Sequence, residues 1–564
     1  MSNACTGRNI NRRSFIRGAG LAAASVAAVS GTAIQARADE AGDEVEAPRP
    51  AYHTWEVKPD PIPADQIVET IECDILVVGA GISGLAAAEA ASADGAKVVV
   101  VEQSTANTSH GSDNGAIGTR VQEELGLHID ADRICRMIYQ WNQQATDFNL
   151  LKVWADRSGE VYNHFFDLAD EIGLHYGFAL CPTSKTDWWD LDYPFAVYPT
   201  ACSFSDLTWD ESAGGVLAQK TLTDMLQAKA EERGAEFRFS TRARQLLREE
   251  GEDAPVTGAV CSLEDGSYIQ VNASKGVILA TGAISGNEEM LEVWSPITLR
   301  CDGIEHFPPN GDLGDGLLMG MWAGAAHQKS AAATIIHPYM LDAAPLGAFF
   351  GSWLMIDKYA QRLGSEVPVE PFITDLKMNA PDRKAWSIWD SNWENWIRIQ
   401  QPAASEAIIA TEGPKFDQAV EDGKLFKADT LEDLAAQLGV DAEKLQETVD
   451  KFNACYEAKE DITFGVPERF LSTVEEGPFY ASEVVAGNGT TIFGLNVDKN
   501  SQVCTDADQP IPGLFAVGNV QGNFFNYTYP VFSPGISHGR AATFGNLVGH
   551  ALAQGCTIYD VEKA

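Results

Sequence analysis

The sequence predicts an α/β fold built around a Rossmann-like nucleotide-binding domain, and three stretches of chain carry that prediction. Residues 73–102 have the pattern of a strand, a glycine turn, a helix and a second strand that ends in a single acid. Residues 276–282 and 512–519 each have the pattern of a buried strand followed by a turn of small residues. Since short apolar runs bounded by glycine turns are typical of buried strands, we expect the second and third stretches to complete the domain that the first begins.

The glycines of the first stretch have the spacing of a dinucleotide-binding turn. Gly79 permits the tight turn, Gly81 lets backbone N–H groups approach a pyrophosphate, and Gly84 lets the helix pack closely on the strand. Glu102 ends the second strand about 20 residues later, where a carboxylate binds ribose hydroxyls. A glycine turn in an ordinary strand–helix–strand unit is the alternative. The presence of both strands, the helix and the acid favours dinucleotide binding.

Residues 1–38 have the pattern of an export signal, and 39–70 that of a linker. Residues 11–17 form a twin-arginine signature, a weakly apolar segment follows, and residues 36–38 offer a cleavage site between small residues. The twin-arginine machinery exports folded proteins, which suits an enzyme that takes up its cofactor in the cytoplasm. A membrane anchor is the alternative, but the apolar run is shorter than the roughly 20 residues that span a bilayer. We therefore expect the protein in the periplasm or on the cell-surface side of the cytoplasmic membrane.

The composition indicates a large acidic globule. The chain has 564 residues and a formal net charge of −40. Such a surface repels nucleic acid, which is therefore excluded as a partner. The ten cysteines show no C-x-x-C spacing, so the sequence predicts no disulfide framework, no metal site of the zinc type and no covalent haem, with an iron–sulfur cluster built from distant cysteines as the alternative that spacing leaves open.

Two further segments set the order of the motifs. Residues 310–316, Asn-Gly-Asp-Leu-Gly-Asp-Gly, are expected to open a helix that runs to Ala325. Residues 533–539 are expected to start the final helix, whose first N–H groups would face a flavin oxygen. In this order the motifs resemble FAD enzymes of the fumarate reductase and succinate dehydrogenase flavoprotein family over residues 71–560. The resemblance implies a Rossmann-like FAD-binding domain in two parts, 71–330 and 488–564, with an inserted α+β capping domain at 331–487.

The resemblance also implies FAD as cofactor and a set of residues that contact it. Besides the glycine turn and its acid, these are Ser83, Gln103, Asn114, Gly115, Thr281, Gly282, Asp315, Gly518, Asn519, Ile536 and Ser537. Ser109-His110 resembles the histidine that carries covalent FAD in membrane-bound members, but its spacing to the next glycine is shorter. In the cap, residues 430–445 predict two short amphipathic helices with Thr430 and Asp441 as N-caps.

At the substrate site the chain departs from the fumarate reductases that it resembles. His337, followed by Pro338, matches a substrate-binding histidine of the family, with a structural histidine as the alternative. A second such histidine is Thr490 here, and the proton-donating arginine falls on Glu370 through a weak match at residues 361–366. The arginine that clamps a carboxylate falls on Tyr529. Since bidentate arginine is how proteins hold carboxylates, we expect a dicarboxylate to be a poor substrate.

Tyr529 suggests a different chemistry. Residues 527–530, Tyr-Thr-Tyr-Pro, resemble the 3-ketosteroid dehydrogenases, in which a tyrosine hydroxyl and a backbone N–H four residues later bind a ketone oxygen. Here those groups would be the Tyr529 hydroxyl and the Ser533 N–H, which together would polarise a conjugated carbonyl. A packed aromatic at a strand end is the alternative.

The proton donor is less defined. Glu370 would protonate the carbon next to the carbonyl, for which burial beside an apolar substrate is needed. A solvated loop carboxylate is the alternative reading, and Tyr339 and Tyr359 are alternative donors.

Aromatic residues hint at the ligand. Tryptophans recur at helical spacing at Trp386, Trp389, Trp393 and Trp396, and a second cluster spans residues 188–198. Such walls suit an apolar, ring-bearing substrate, although ordinary packing explains them more simply.

The sequence thus predicts an exported FAD-dependent reductase of an activated C=C bond, in an enone or an unsaturated aryl acid, serving anaerobic respiration. The same chemistry run backward, a 3-ketosteroid-type dehydrogenase, is the main alternative. A non-catalytic flavin carrier is a third, disfavoured by the cap. Because the sequence shows one nucleotide fingerprint and no haem motif, we expect a separate electron donor such as a multihaem cytochrome or an FMN-bearing protein.

Overall fold

A computed structural model describes residues 53–108, 111–178, 195–205, 218–251, 253–304, 311–337 and 344–561. The predicted export signal, His110, Pro338, Tyr339 and most of the aromatic cluster at 188–198 lie outside these residues. The chain divides into two compact units, 1–58 and 59–564. In the first, the described part contains the single 3₁₀ turn Thr54–Glu56. All that follows concerns the second.

The N-terminal half of this unit alternates strands and helices. In chain order its strands are β1 Ile67–Val78, β2 Val98–Val101, β3 Asn114–Gly115, β4 His175–Phe178, β5 Ala201–Ser205, β6 Glu236–Arg238, β7 Arg242–Arg248, β8 Val256–Ser262 and β9 Tyr268–Leu279. Its helices are α1 Ile82–Ala93, α2 Arg120–Glu124, α3 Ala131–Trp141, α4 Phe148–Ile172 and α5 Ala218–Glu232.

The C-terminal half carries the remaining elements. Its strands are β10 Gly303–Ile304, β11 Ala333–His337, β12 Leu354–Asp357, β13 Ala385–Trp389, β14 Leu425–Ala428, β15 Phe479–Glu483, β16 Gly487–Ile492, β17 Gln502–Cys504 and β18 Pro510–Ala516. Its helices are α6 Glu288–Trp294, α7 Asp315–Trp322, α8 Glu370–Asn379, α9 Trp393–Gln400, α10 Ser405–Glu412, α11 Phe416–Glu421, α12 Leu431–Leu438, α13 Ala442–Ala458 and α14 Ile536–Gln554.

The main sheet has the order β17-β18-β9-β1-β2-β6, with β8 and β7 continuing antiparallel from β9. β1 pairs in parallel with β2 and with β9, and β9 pairs in parallel with β18. The four predicted strands therefore lie side by side in the order β18-β9-β1-β2, which confirms the Rossmann-like α/β fold. Because parallel neighbours end at the same edge, the turns that follow β1, β9 and β18 meet there.

A second sheet lies within the segment proposed as the cap. It is antiparallel, with the order β12-β13-β15-β14. Helices α12 and α13 pack on it, and both predicted N-caps are confirmed. The Thr430 side chain accepts from the Asp433 N–H, and the Asp441 side chain accepts from the Lys444 N–H. α13 has 17 residues and continues beyond residue 445 through the segment 446–456.

The four tryptophans of the cap do not share a helix. Trp386 and Trp389 lie on β13, whereas Trp393 and Trp396 lie on α9. The prediction of one helical stripe is wrong, since the chain turns between the two elements. All four are buried in two hydrophobic clusters of the cap, so they serve packing.

Helix α7 also ends earlier than the predicted Ala325, at Trp322. Gly324 follows with φ +93°, a left-handed conformation that terminates a helix. Among the residues that the structure describes, no helix combines the length and the apolar character that a membrane crossing demands.

Candidate active site

The glycine turn after β1 has the geometry of a phosphate-binding turn. Gly79 has φ +107°, and a Cβ added there would lie 2.4 Å from the carbonyl oxygen of Ala280. A Cβ at Gly84 would lie 2.0 Å from the carbonyl oxygen of Gly79, so the helix can approach the turn only without a side chain. Gly81 differs, because an added Cβ would meet only the carbonyl oxygen of Thr108, at 3.6 Å. Open space therefore remains at the N-terminus of α1, where a pyrophosphate binds.

Glu102 is oriented toward this turn from the end of β2. It is 6% exposed, and its Oε2 accepts from the Ala80 N–H at 2.8 Å while its Oε1 accepts from the Ser104 N–H at 2.8 Å. Each carboxylate oxygen has a second acceptor position, so these bonds leave capacity for ribose hydroxyls. Gln103, beside it, is half-buried.

The turns after β9 and β18 face the glycine turn. Gly282 and Gly518 both have positive φ, +79° and +70°. A Cβ at Gly518 would lie 2.5 Å from the Ser83 Oγ. The turn after β18 therefore lies close to the start of α1, which follows the glycine turn. The Thr281 Oγ1 is buried and has no hydrogen-bond partner among the described residues. An open cradle at Gly81 and an unsatisfied hydroxyl at Thr281 fit a bound dinucleotide.

Three residues predicted to contact the cofactor have their polar groups engaged within the protein. Asn114 is fully buried, with its Nδ2 donating to Gln219 and its Oδ1 accepting from Tyr162. The Gly115 N–H donates to the Gly535 carbonyl at 2.7 Å. The Asp315 carboxylate accepts two bonds from Arg242, at 2.6 and 2.7 Å. These contacts position the surrounding elements, a role that spacing alone did not indicate.

The Tyr529 hydroxyl lies at the N-terminus of α14. Its Oη accepts from the Ser537 N–H at 3.1 Å, and its ring packs against Phe525 with centroids 5.2 Å apart. The side chain is 8% exposed. The bond to Ser537 uses the acceptor capacity of the phenol, and the positive end of the helix strengthens its O–H as a donor. The neighbouring Ile536 N–H donates to the Ser533 carbonyl at 3.2 Å.

Ser533 does not present the predicted second donor. Its N–H donates to the Pro530 carbonyl at 3.1 Å, which closes residues 530–533 into a turn. Its Oγ lies 3.2 Å from the Thr200 Oγ1. The prediction from the ketosteroid dehydrogenase pattern is corrected in this respect, because the sequence between Tyr529 and Ser533 forms a turn that satisfies the N–H internally.

The strand that carries His337 runs beside the Tyr529 segment. Thr334 of β11 forms a parallel bridge to Thr528, and Ile335 pairs with Thr490 of β16. The structure thus brings together the segments of three positions that sequence comparison linked to substrate: His337, Thr490 and Tyr529. His337 itself is partly buried at the end of its strand.

Glu370 is the first residue of helix α8. Its backbone therefore belongs to a helix and not to a loop, unlike the alternative given above. The weak sequence match ahead of it corresponds to a buried ion pair. The Arg362 guanidinium donates two bonds to the Glu366 carboxylate, at 2.7 and 2.6 Å, and a third to Asp461 at 2.8 Å. This cluster anchors the segment that leads into α8. Tyr359, an alternative donor, is 55% exposed.

An aromatic cluster that sequence reasoning missed surrounds these segments. Trp141, at the end of α3, stacks on Phe372 of α8 with centroids 5.4 Å apart and meets Phe532 edge-on at 5.3 Å. Phe372 follows Glu370 by two residues, and Phe532 follows Tyr529 by three. Asn142, next to Trp141, accepts from the Thr528 N–H at 3.1 Å. No periodicity signals this cluster, since its members come from three distant parts of the chain.

Comparisons with known proteins agree with the nucleotide-binding fold. The family described as FAD binding domain matches residues 74–536. A vinyl phenol reductase from Lactiplantibacillus plantarum is 25% identical over 505 residues, 85% of this chain and 96% of that protein. A probable fumarate reductase from Shewanella frigidimarina is 24% identical over 465 residues, 80% of this chain and 70% of that protein. The crystal structure of a 3-ketosteroid-Δ4-(5α)-dehydrogenase from Rhodococcus jostii RHA1 has the same fold, with a TM-score of 0.69 at 22% identity, covering 87% of this chain and 99% of that chain.

Proposed function

This chain belongs to the FAD binding domain family, and on that premise we propose that it reduces an activated C=C bond in an enone or an unsaturated aryl acid. Bound FAD supplies the hydride for such a reaction. The observation that carries the proposal is the Tyr529 hydroxyl, fixed by the Ser537 N–H at the start of α14. A relative named as a vinyl phenol reductase supports the reduction of a C=C bond attached to an aromatic ring.

Tyr529 acts on the substrate carbonyl. Its hydroxyl donates to the oxygen, on which negative charge develops when hydride reaches the conjugated carbon. The N-terminus of α14 stabilises the same charge through its dipole. Glu370 at the start of α8 is the proposed proton donor to the adjacent carbon, with His337 as a second substrate contact.

Fumarate fits this site poorly. The positions at which the family's substrate-binding cations were expected hold Thr490, Glu370 and Tyr529. None of these carries a positive charge at neutral pH, and a hydrogen bond to a charged group contributes about 1.5–3 kcal/mol. A dicarboxylate would therefore lose much of the binding that two arginines provide.

The aromatic cluster favours a ring-bearing substrate. We predict that Trp141→Leu raises KM roughly tenfold for cinnamate, because a lost aromatic contact costs about 0.5–1.5 kcal/mol beyond the lost buried area. KM for acrylate, which has no ring, serves as the internal control and should stay within twofold. Steady-state kinetics with both substrates measure this. An equal rise in both KM values would instead mean that Trp141 only supports the fold.

The alternative function is that of a 3-ketosteroid-type dehydrogenase, and the Tyr-Thr-Tyr-Pro segment is the observation in its favour. The direction of the reaction distinguishes the two functions. Photoreduced enzyme is mixed anaerobically with an enone, and oxidised enzyme with the saturated ketone. Rapid re-oxidation by the enone supports the reductase. Rapid bleaching by the saturated ketone, with no reaction of the enone, supports the dehydrogenase.

We also propose export by the twin-arginine route and a separate electron donor in anaerobic respiration. The signature at residues 11–17 supports the first. The presence of one nucleotide fingerprint supports the second, and rapid reduction of the purified enzyme by NADH alone would contradict it.

A further inference from the structure

Arg540, on the second turn of α14, is a buried cation whose described partners are all neutral. Its side chain is 0% exposed. Nη1 donates to the Gly518 carbonyl at 2.7 Å and to the Gln521 Oε1 at 3.2 Å, and Nη2 donates to the Asn519 Oδ1 at 3.0 Å. The ion pairs found among the described residues do not include Arg540.

Two titratable side chains also face the guanidinium: Tyr529, which acts to raise the pKa of Arg540, and His538, whose own pKa is lowered by burial and by Arg540. The Phe525 and Phe524 rings lie 5.0 and 5.5 Å from Cζ, and Nε is buried with no hydrogen-bond partner in the part of the chain that the structure describes. Burial lowers the pKa of Arg540 to about 9, so the group still carries its charge at neutral pH. A buried charge without a counter-charge costs several kcal/mol. Among the described residues no acid offsets this cost, so an anion bound beside Arg540 would offset it.

The position of Arg540 indicates which anion. Gly518 and Asn519 form the turn after β18, at the sheet edge where the glycine turn and Thr281 also lie. Asn519 connects the guanidinium to Thr490. Its Oδ1 accepts from Arg540, and its Nδ2 donates to the Thr490 Oγ1 at 3.3 Å. The cation thus holds a turn that lies at the predicted cofactor edge of the sheet and contacts Thr490, a position that the sequence linked to substrate.

We propose that Arg540 is a positioning residue of the flavin site, which fixes the Gly518–Asn519 turn and favours the reduced form of bound FAD through its uncompensated positive charge. Two electrons from the donor and one proton convert the neutral oxidised ring into a reduced anion. A nearby cation stabilises the anionic product relative to the neutral ring. The proposal deepens the proposed function, since a reductase must accept electrons before it passes them to a double bond.

The test is a redox titration of the bound flavin in the holoenzyme, without substrate, for wild type, Arg540→Gln and Arg540→Lys. We expect Arg540→Gln to lower the equilibrium constant for two-electron reduction at least tenfold. This corresponds to a fall of about 30 mV in the midpoint potential of the bound flavin. Arg540→Lys keeps the charge and should stay within threefold of wild type at pH 6. Arg398→Gln removes an exposed arginine of α9 and should change nothing. An Arg540→Gln constant within threefold of wild type would overturn the proposal.

If Arg540→Gln does not bind FAD, the pH dependence of the redox equilibrium in Arg540→Lys tests the proposal alone. A buried lysine loses its proton at a lower pH than the arginine that it replaces, and with a pKa of about 9 Arg540 is still mostly protonated at pH 8. Between pH 6 and 8 the constant of the lysine variant should therefore fall tenfold further than that of wild type. Parallel pH profiles would overturn the proposal. Because no substrate is present, either result is independent of whether the enzyme reduces a C=C bond.

Discussion

Tyr529→Phe is expected to lower kcat for enone reduction by roughly 10²–10³-fold, the usual effect of losing one donor to a developing oxyanion. Phenylalanine retains the ring contact with Phe525 and the burial of the side chain. It removes only the hydroxyl, which at present accepts from the Ser537 N–H. That N–H loses its acceptor, so the free energy of unfolding should fall by about 1–3 kcal/mol. Steady-state kinetics and denaturant unfolding of the holoenzyme measure the two effects.

Tyr359→Phe is the matched control. It deletes the same atom from an exposed tyrosine of the cap, and both kcat and stability should remain at wild-type values. If Tyr529→Phe instead keeps kcat within threefold of wild type, Tyr529 is a packed aromatic and the carbonyl is polarised by another group. If Tyr359→Phe loses activity, the proton donor has been placed on the wrong residue.

The second large effect is expected at Gly81. Gly81→Val should lower FAD affinity at least a hundredfold, about 2.7 kcal/mol, while the protein stays folded. The backbone there, at φ −81° and ψ −178°, suits any residue, and the space beside it is open. The new side chain would fill the position of the pyrophosphate. Loss of a glycine N-cap should cost at most about 1 kcal/mol of stability.

Gly84→Ala is the contrasting variant. Its added Cβ would lie 2.0 Å from the Gly79 carbonyl oxygen, so the helix must move and the fold itself is expected to weaken. FAD titration of the apoproteins and their thermal unfolding separate the two variants. Normal FAD affinity in Gly81→Val would show that the phosphates lie elsewhere.

The sequence was sufficient for the nucleotide-binding half of the fold. Alternation of apolar strands with glycine turns has a local cause, since each turn requires a particular backbone conformation, and β1, α1, β2, β9 and β18 all lie where the pattern indicated. The cap was harder, because Trp386 and Trp393 are seven residues apart, as on one helix, yet belong to a strand and a helix. Residues 390–392 between them are Asp-Ser-Asn, a turn signal that the tryptophan spacing obscured.

At the site, residues that spacing places correctly still differ in what they bind. Asp315 follows the expected pattern, but its partner Arg242 is 73 residues away and could not be inferred. Ser533 was assigned a ligand-binding N–H that a local turn consumes. The sequence did not indicate Trp141, because its role depends on stacking with the distant Phe372. It did not indicate Arg540 either, because only the folded chain shows that this arginine has no acidic partner among the described residues.

The most direct test of the central claim, reduction of an activated C=C bond other than that of fumarate, is an anaerobic dye assay. FAD-loaded enzyme is supplied with dithionite-reduced methyl viologen, and dye oxidation is followed with cinnamate, a steroid enone, urocanate and fumarate. We expect kcat/KM for at least one ring-bearing substrate to exceed that for fumarate a hundredfold or more, as loss of two charged contacts implies. Equal or faster turnover of fumarate would contradict the claim and would mean that cations outside the positions of Thr490, Glu370 and Tyr529 hold the carboxylates.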